Sequence, residues 1–247
     1  MTALLRQTAI ETKLFLRRKD ELLWTLAFPI LFMVLFGVIY GNSSWSGMNM
    51  RSVDFLMPGI IVMGAMVTGI MRTSTGFVQE REKGIYRRLS LTPLKRETLI
   101  ASHLLQHYLV IIVQTLLLVG VGIYIFNVKI SGNPLLFWLI LSAGALCFMS
   151  IGFALTGLMK TARTSTPVTQ MTYFIMMFLG GVFFPNSMLP KALEPIANAL
   201  PSAQMSTALR QVLYEHAGIG DVWRHLVVIA LWVVVSYLIS LKVFRWE

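Results

Sequence analysis

Charge is the scarcest commodity in this 247-residue chain. Asp, Glu, Lys and Arg make up 13% of it, about half the share in soluble domains. Hydrophobic residues supply 56% and mean hydropathy is +0.70. A water-soluble fold this size cannot hide so much apolar surface, and disorder is excluded for the same reason. The single cysteine, Cys147, sits in an apolar run, so neither a disulfide framework nor a cysteine-based zinc site can form within the chain. The phosphate-binding patterns G-x-x-x-x-G-K-[ST] and G-x-G-x-x-G are missing, as are H-E-x-x-H and G-x-S-x-G. The chain therefore has no nucleotide-hydrolysing or catalytic motif of its own. His103 and His107 could share a helical face, but a zinc site wants a third ligand and only distant Glu97 offers itself; two interfacial histidines are the plainer reading, and no metal site is expected. Ser142 and Ser150 have no positioned base, which disfavours an intramembrane hydrolase. None of the eleven Asp and Glu falls mid-span, where ion-coupled carriers place their ionisable groups.

What is present is apolar length. Crossing about 30 Å of hydrocarbon takes roughly 20 residues of helix, the one open segment that satisfies its own backbone there. Six stretches qualify: Leu22–Gly41, Phe55 to about Val78, Ile100–Phe126, Leu135–Met159, Ser165–Phe184 and Trp223–Phe244. The first has too long an apolar core, and too much acid before it, for a cleaved signal peptide. His103, Gln106, His107 and Gln114 keep the first turns of the third stretch out of lipid. Pro167 is expected in the first turn of the fifth, where its missing N–H is harmless. Gly37/Gly41 and Ala65/Gly69 have the small-residue spacing that permits close helix approach, with internal packing as its ordinary use. Arg72, near the end of the second stretch, is expected to snorkel.

The net charge of +10 and pI near 10.1 concern membrane sidedness here, and no nucleic-acid partner is implied. Arg6, Lys13, Arg17, Arg18, Lys19, Arg81, Lys83, Arg87, Arg88, Lys95, Arg96, Lys160, Arg163, Lys242 and Arg245 lie on one side; Arg51, Lys129, Lys191, Arg210 and Arg224 lie on the other. The positive-inside rule puts both termini in the cytoplasm.

Residues 2–20 read as an interfacial helix, with Leu4, Ile10, Leu14 and Phe15 on an arc that Glu11 and Arg18 interrupt. The connection 79–99 is highly charged, yet Ile85, Tyr86, Leu89 and Leu91 punctuate it before Pro93. A short helix with apolar teeth and a charged rim suits docking into a groove on another protein; a solvated loop would need no such teeth. In the connection 185–222, Leu189, Leu193, Ile196 and Leu200 form one helical face, stopped by Pro201, and Met205, Leu209, Val212 and Leu213 form a second, ended by Gly218. These two helices are expected to dip into or lie on the outer leaflet. The two three-span halves do not align, which weighs against an inverted-repeat carrier.

The chain resembles the permease subunits of ABC type-2 exporters. The likeness rests on Glu80, Arg81, Glu82, Gly84, Leu89 and Pro93 after the second span, and on Gly180, Gly181, Phe183, Phe184 and Pro185 closing the fifth. Leu189-Pro190, Leu200-Pro201 and Leu209-Arg210 follow. Ile85 and Arg87 stand where the family often has Thr and an acidic residue. The resemblance implies an all-α polytopic membrane protein of six transmembrane helices, with an N-terminal interfacial helix, a cytoplasmic coupling helix and short external re-entrant helices. It implies a single transmembrane domain over 1–247 in the cell membrane of a prokaryote. Two ABC ATPase subunits, which bind the ATP and Mg, would dock on Glu80, Glu82, Gly84, Ile85, Tyr86, Arg87, Arg88, Leu89 and Pro93. A second permease copy or a related permease would complete a path for an amphipathic cargo. That path is expected to draw on Met63, Met66, Thr68, Thr172, Tyr173, Met176 and Met177, with Phe183, Phe184 and Pro185 as an external gate. An ion-coupled carrier, an intramembrane enzyme and a scaffold are the rivals.

Overall fold

The computed structural model describes residues 3–40, 50–89, 95–183, 188 and 190–243. Every element among them is helical. In chain order they are α1 (Ala3–Arg17), α2 (Lys19–Tyr40), α3 (Ser52–Glu82), α4 (Ile85–Leu89), α5 (Arg96–Phe126), α6 (Pro134–Leu158), α7 (Ala162–Leu179), α8 (Glu194–Ala199), α9 (Pro201–Tyr214) and α10 (Ile219–Val243). Among the described residues, α2, α3, α6, Glu97–Phe126 of α5 and Ile219–Lys242 of α10 are long and apolar enough to cross a membrane. The fifth expected span, α7, is 18 residues long and less apolar, because Arg163, Thr164, Ser165, Thr166, Thr169 and Gln170 occupy its first half.

The middle of the bundle is α3. All residues from Phe55 to Met66 are buried, as a helix enclosed by neighbours requires. α2, α5, α6 and α9 pack around it. It approaches α6 closely at a pair of glycines. A Cβ on Gly152 would stand 2.3 Å from the Gly69 carbonyl oxygen, and one on Gly69 would stand 2.6 Å from Phe148 Cβ. The Ala65/Gly69 spacing thus serves packing within the chain. Gly37 does the same against the Phe126 ring; Gly41 lies outside the described residues.

Two expectations need correction, those on Pro167 and on the helix after Pro201. Pro167 is the sixth residue of α7, since the helix begins at Ala162, where Thr161 is extended. The buried residues of α1 are Thr8 and Phe15, while Ile10 and Leu14 are exposed. The helix presents a partly polar stripe to α5, because its packing partner is itself polar there. Finally, Pro201 opens α9 instead of merely stopping α8, and α9 is buried over Pro201, Ser202, Ala203, Met205, Ser206, Ala208, Leu209, Val212 and Leu213. It packs among α3, α6, α7 and α10, so it belongs to the core of the bundle. On α8 it is Ala197 that is buried, with Leu193 and Ile196 exposed; Leu189 lies outside the described residues.

Candidate functional site

The two ends of the bundle differ in chemistry. At the basic end, α3 runs out through Arg81 and Glu82 into a tight turn at Gly84, whose φ of +67° favours glycine because a Cβ would crowd the backbone. Arg81 donates to the carbonyl oxygens of Thr156 and Met159, the last turn of α6. The Glu82 carboxylate accepts the Ala162 N–H of α7 at 2.8 Å. A cation on a helix C-terminus and an anion on a helix N-terminus both match the helix dipole, so this neighbouring pair clasps the α6–α7 turn. Glu82 is itself exposed, and its carboxylate also serves the fold of its own chain. Glu82→Ala should lower stability by about 1 kcal/mol, as loss of a cap does, measurable as a lower melting temperature in detergent.

The short helix α4 is similarly tied back. Tyr86 Oη donates to Glu80 Oε2 at 2.8 Å, and its ring stacks near Phe77 with centroids 6.3 Å apart. Burial beside Glu80 pushes the Tyr86 phenol up from its ordinary pKa, so it remains a donor. Ile85 is half-buried over a cavity, whereas Lys83 and Arg88 are exposed. Arg87 and Leu89 belong to α4, but their side chains, like Pro93 and Leu91 entirely, lie outside the described residues.

Polar side chains from four elements meet behind this segment. His103 Nε2 on α5 lies 3.5 Å from Glu80 and 3.6 Å from Glu11 of α1. Arg72 does not snorkel outward. Its side chain is 17% exposed, its Nη2 is 3.5 Å from Glu21 of α2, and its guanidinium carbon lies 4.3 Å from the Phe15 ring centroid. His107, one turn beyond His103, pairs instead with Thr73 Oγ1 at 2.9 Å, and no metal-binding group of three His, Cys, Asp or Glu occurs among the described residues. The interruption of the apolar arc of α1 by Glu11 was the sequence signal for this cluster.

The residues expected along a cargo path are interior. Met63, Met66 and Thr68 of α3 and Tyr173, Met176 and Met177 of α7 are buried; Thr172 is half-buried, its hydroxyl donating to Val168. The exposed apolar side chains of α7 are Val168, Met171, Phe174, Ile175 and Phe178. Gln114 is buried against Gly64 in mid-bundle, about five turns into α5 and away from the polar end where it was expected to act. Phe183 is buried, 5.4 and 5.9 Å from Phe36 and Phe32 of α2; Phe184 and Pro185 lie outside the described residues.

At the far end, α9 carries a stripe that sequence reasoning passed over. Ser202 Oγ donates to Met176 O at 2.9 Å, Ser206 Oγ to Gly180 O at 3.0 Å, and Arg210 Nη2 to Gly181 O. Arg210 Nε also reaches Phe55 O of α3 at 3.1 Å, with the guanidinium 3.6 Å above the Phe55 ring. Positions i, i+4 and i+8 of one helix thereby satisfy carbonyls that α7 leaves open at its C-terminus. Burial pushes the Arg210 guanidinium down to about 9, still cationic at neutral pH. Polar residues at every fourth position of the helix face that also carries Met205, Leu209 and Leu213 were the available clue.

These helices and their polar ends define a multi-pass membrane protein. The chain belongs to the ABC-2 family of transporters: the family profile for ABC-2 family transporter proteins matches residues 46–242. It is 24% identical over 243 residues to the putative transport permease YvfS of Bacillus subtilis, covering 97% of this chain and 96% of that one. It is 24% identical over 215 residues to the probable doxorubicin resistance ABC transporter permease protein DrrC of Mycobacterium tuberculosis, covering 83% and 75%. Against ABC transporter G family member 20 of Dictyostelium discoideum it is 27% identical over 198 residues, 79% of this chain but only 26% of that much longer protein.

Proposed function

We propose that this chain is the membrane-spanning permease subunit of an ATP-driven exporter. Six spans, α7 among them, place both termini in the cytoplasm of a prokaryotic cell, and α9 re-enters from outside. Two copies, or this chain with a related permease, pair in the membrane over two ATPase subunits that hold the ATP and Mg. The observation that carries this reading is the mechanical continuity of the basic end. Force applied to α4 passes through Tyr86 to Glu80 on α3, and from Glu80 by way of His103 to Glu11 on α1. An ATPase gripping α4 would therefore move the inner ends of α1, α3 and α5 together. The cargo is amphipathic or hydrophobic, a drug, lipid or lipid-linked glycan. The doxorubicin resistance named for DrrC supports this class, as do the apolar faces of α2 and α7, where Leu31, Leu35, Met171, Phe174 and Phe178 are exposed.

The test is export by proteoliposomes holding the permease with an ATP-hydrolysing partner bearing a phosphate-binding loop. Transport should need both proteins and ATP. Gly84→Pro, which cannot take a positive φ, and Leu89→Glu should abolish coupled transport while leaving the helical content and melting of the permease near those of the parent. Uphill transport by the permease alone would refute the reading.

A further inference from the structure

At the basic end, a cavity of about 590 Å³ opens among α1, α3, α4 and α5, within the range of about 300–1,000 Å³ that holds small ligands. Its lining carries the carboxylates of Glu11, Glu21 and Glu80 and the cations of Arg18, Arg72 and Lys83, yet not every hydrogen bond among its polar groups is made. Glu21 is taken up by Arg18 at 2.8 Å and Arg72 at 3.5 Å. That leaves two buried N–H donors with no acceptor, Arg72 Nη1 and Gln106 Nε2. Gln106 is 3% exposed and lines the cavity. A buried donor left unpaired costs about 1–3 kcal/mol, so both favour a ligand that brings acceptor oxygens. On the other side, the carboxylates of Glu11 and Glu80 flank His103; Glu11 accepts from Gln7 and Glu80 from Tyr86, and the lone pairs each carboxylate still has favour a cation. His103 and Gln106 are three residues apart on α5, about 4.5 Å along its axis. That is the scale of the two-carbon bridge between the phosphate and ammonium of an ethanolamine headgroup. The exposed Leu14 beside the cavity offers apolar surface for the start of an acyl chain.

We propose that this cavity binds the zwitterionic headgroup of a phospholipid, with its phosphate on Arg72 and Gln106 and its ammonium on the cavity side of Glu80 and Glu11, beside His103. The site lies within one copy of the chain and needs neither nucleotide nor ATPase, so its test is independent of export.

The full-length chain, purified in detergent without nucleotide, is equilibrated with mixed vesicles of equimolar phosphatidylethanolamine and phosphatidylglycerol. Retained lipid is then quantified by native mass spectrometry. Phosphatidylethanolamine should be enriched at least about fivefold. Gln106→Leu and Glu80→Gln should each lower its retention about tenfold, the worth of one charge-assisted hydrogen bond, while Arg224→Gln at the far end leaves it unchanged. Gln106→Leu removes an unpaired amide at nearly constant volume, so its melting temperature should not fall, which separates lost binding from lost folding. Equal retention of the two lipids, or unchanged retention in both cavity variants, overturns the proposal. If soluble glycerophosphoethanolamine binds the delipidated protein as tightly as the lipid does, the ligand is a soluble phosphoester and the lipid assignment fails.

Discussion

Arg210→Leu is expected to destabilise the folded permease by about 3 kcal/mol, the cost of breaking charge-assisted hydrogen bonds at a buried site. The guanidinium joins three elements at once: it lies on α9, bonds the Phe55 carbonyl of α3 and the Gly181 carbonyl after α7, and covers the Phe55 ring. Leu fills part of the volume but leaves the Gly181 carbonyl, in a turn just past the end of α7, without a donor. Arg210→Lys should recover only part of the loss, since an ammonium lacks the planar fork that serves two carbonyls together. The readouts are melting in detergent and protease cleavage of the connection between α7 and α8, which should quicken in Arg210→Leu. Melting within a degree of the parent for both variants would show that the clamp carries no weight.

Gly152→Val should be at least as damaging. Its Cβ would lie 2.3 Å from Gly69 O and 2.9 Å from Ile70 O. Those are backbone atoms of the helix at the centre of the bundle, and they cannot swing aside as a side chain can. α3 and α6 would have to part, at about 3 kcal/mol or more for overpacking, and the contacts of α6 with α9 and α10 would shift too. Gly152→Ala should still lose stability, although alanine gains up to about 1 kcal/mol in helix propensity. The control is Gly120→Ala in α5, where a Cβ would meet nothing within 4 Å, so only the propensity gain remains. The yield of monodisperse protein and its melting temperature should rank Gly120→Ala, parent, Gly152→Ala and Gly152→Val in falling order. A Gly152→Val protein that melts with the parent would contradict the close approach.

The helices were legible because each is a local solution. An apolar run in hydrocarbon has to bond its own backbone, and Asn133 and Pro134 at the start of α6 announce a helix without help from elsewhere: the Asn133 side chain accepts from Leu135 N and Leu136 N. The partners of the polar groups were less legible. Arg81 and Glu82 read as a rim for another protein, because in the chain they adjoin only Glu80 and Lys83; their acceptor and donor sit some 80 residues away, on either side of the α6–α7 turn. Arg72 read as a snorkelling cation for the same reason, with Glu21 51 positions distant.

Composition, hydropathy and the uneven placement of Lys and Arg therefore determined that this chain is a helical membrane protein with a strongly basic end and no nucleotide-handling motif. These are properties of each segment against its solvent, and they need no knowledge of neighbours. Tertiary structure alone decided that α9 is buried in the bundle, that the Ser202, Ser206 and Arg210 stripe closes α7, and that donors and carboxylates converge on one cavity behind α4. Scarce polar groups in an apolar bundle must find partners wherever packing brings them, and sequence distance does not constrain that choice.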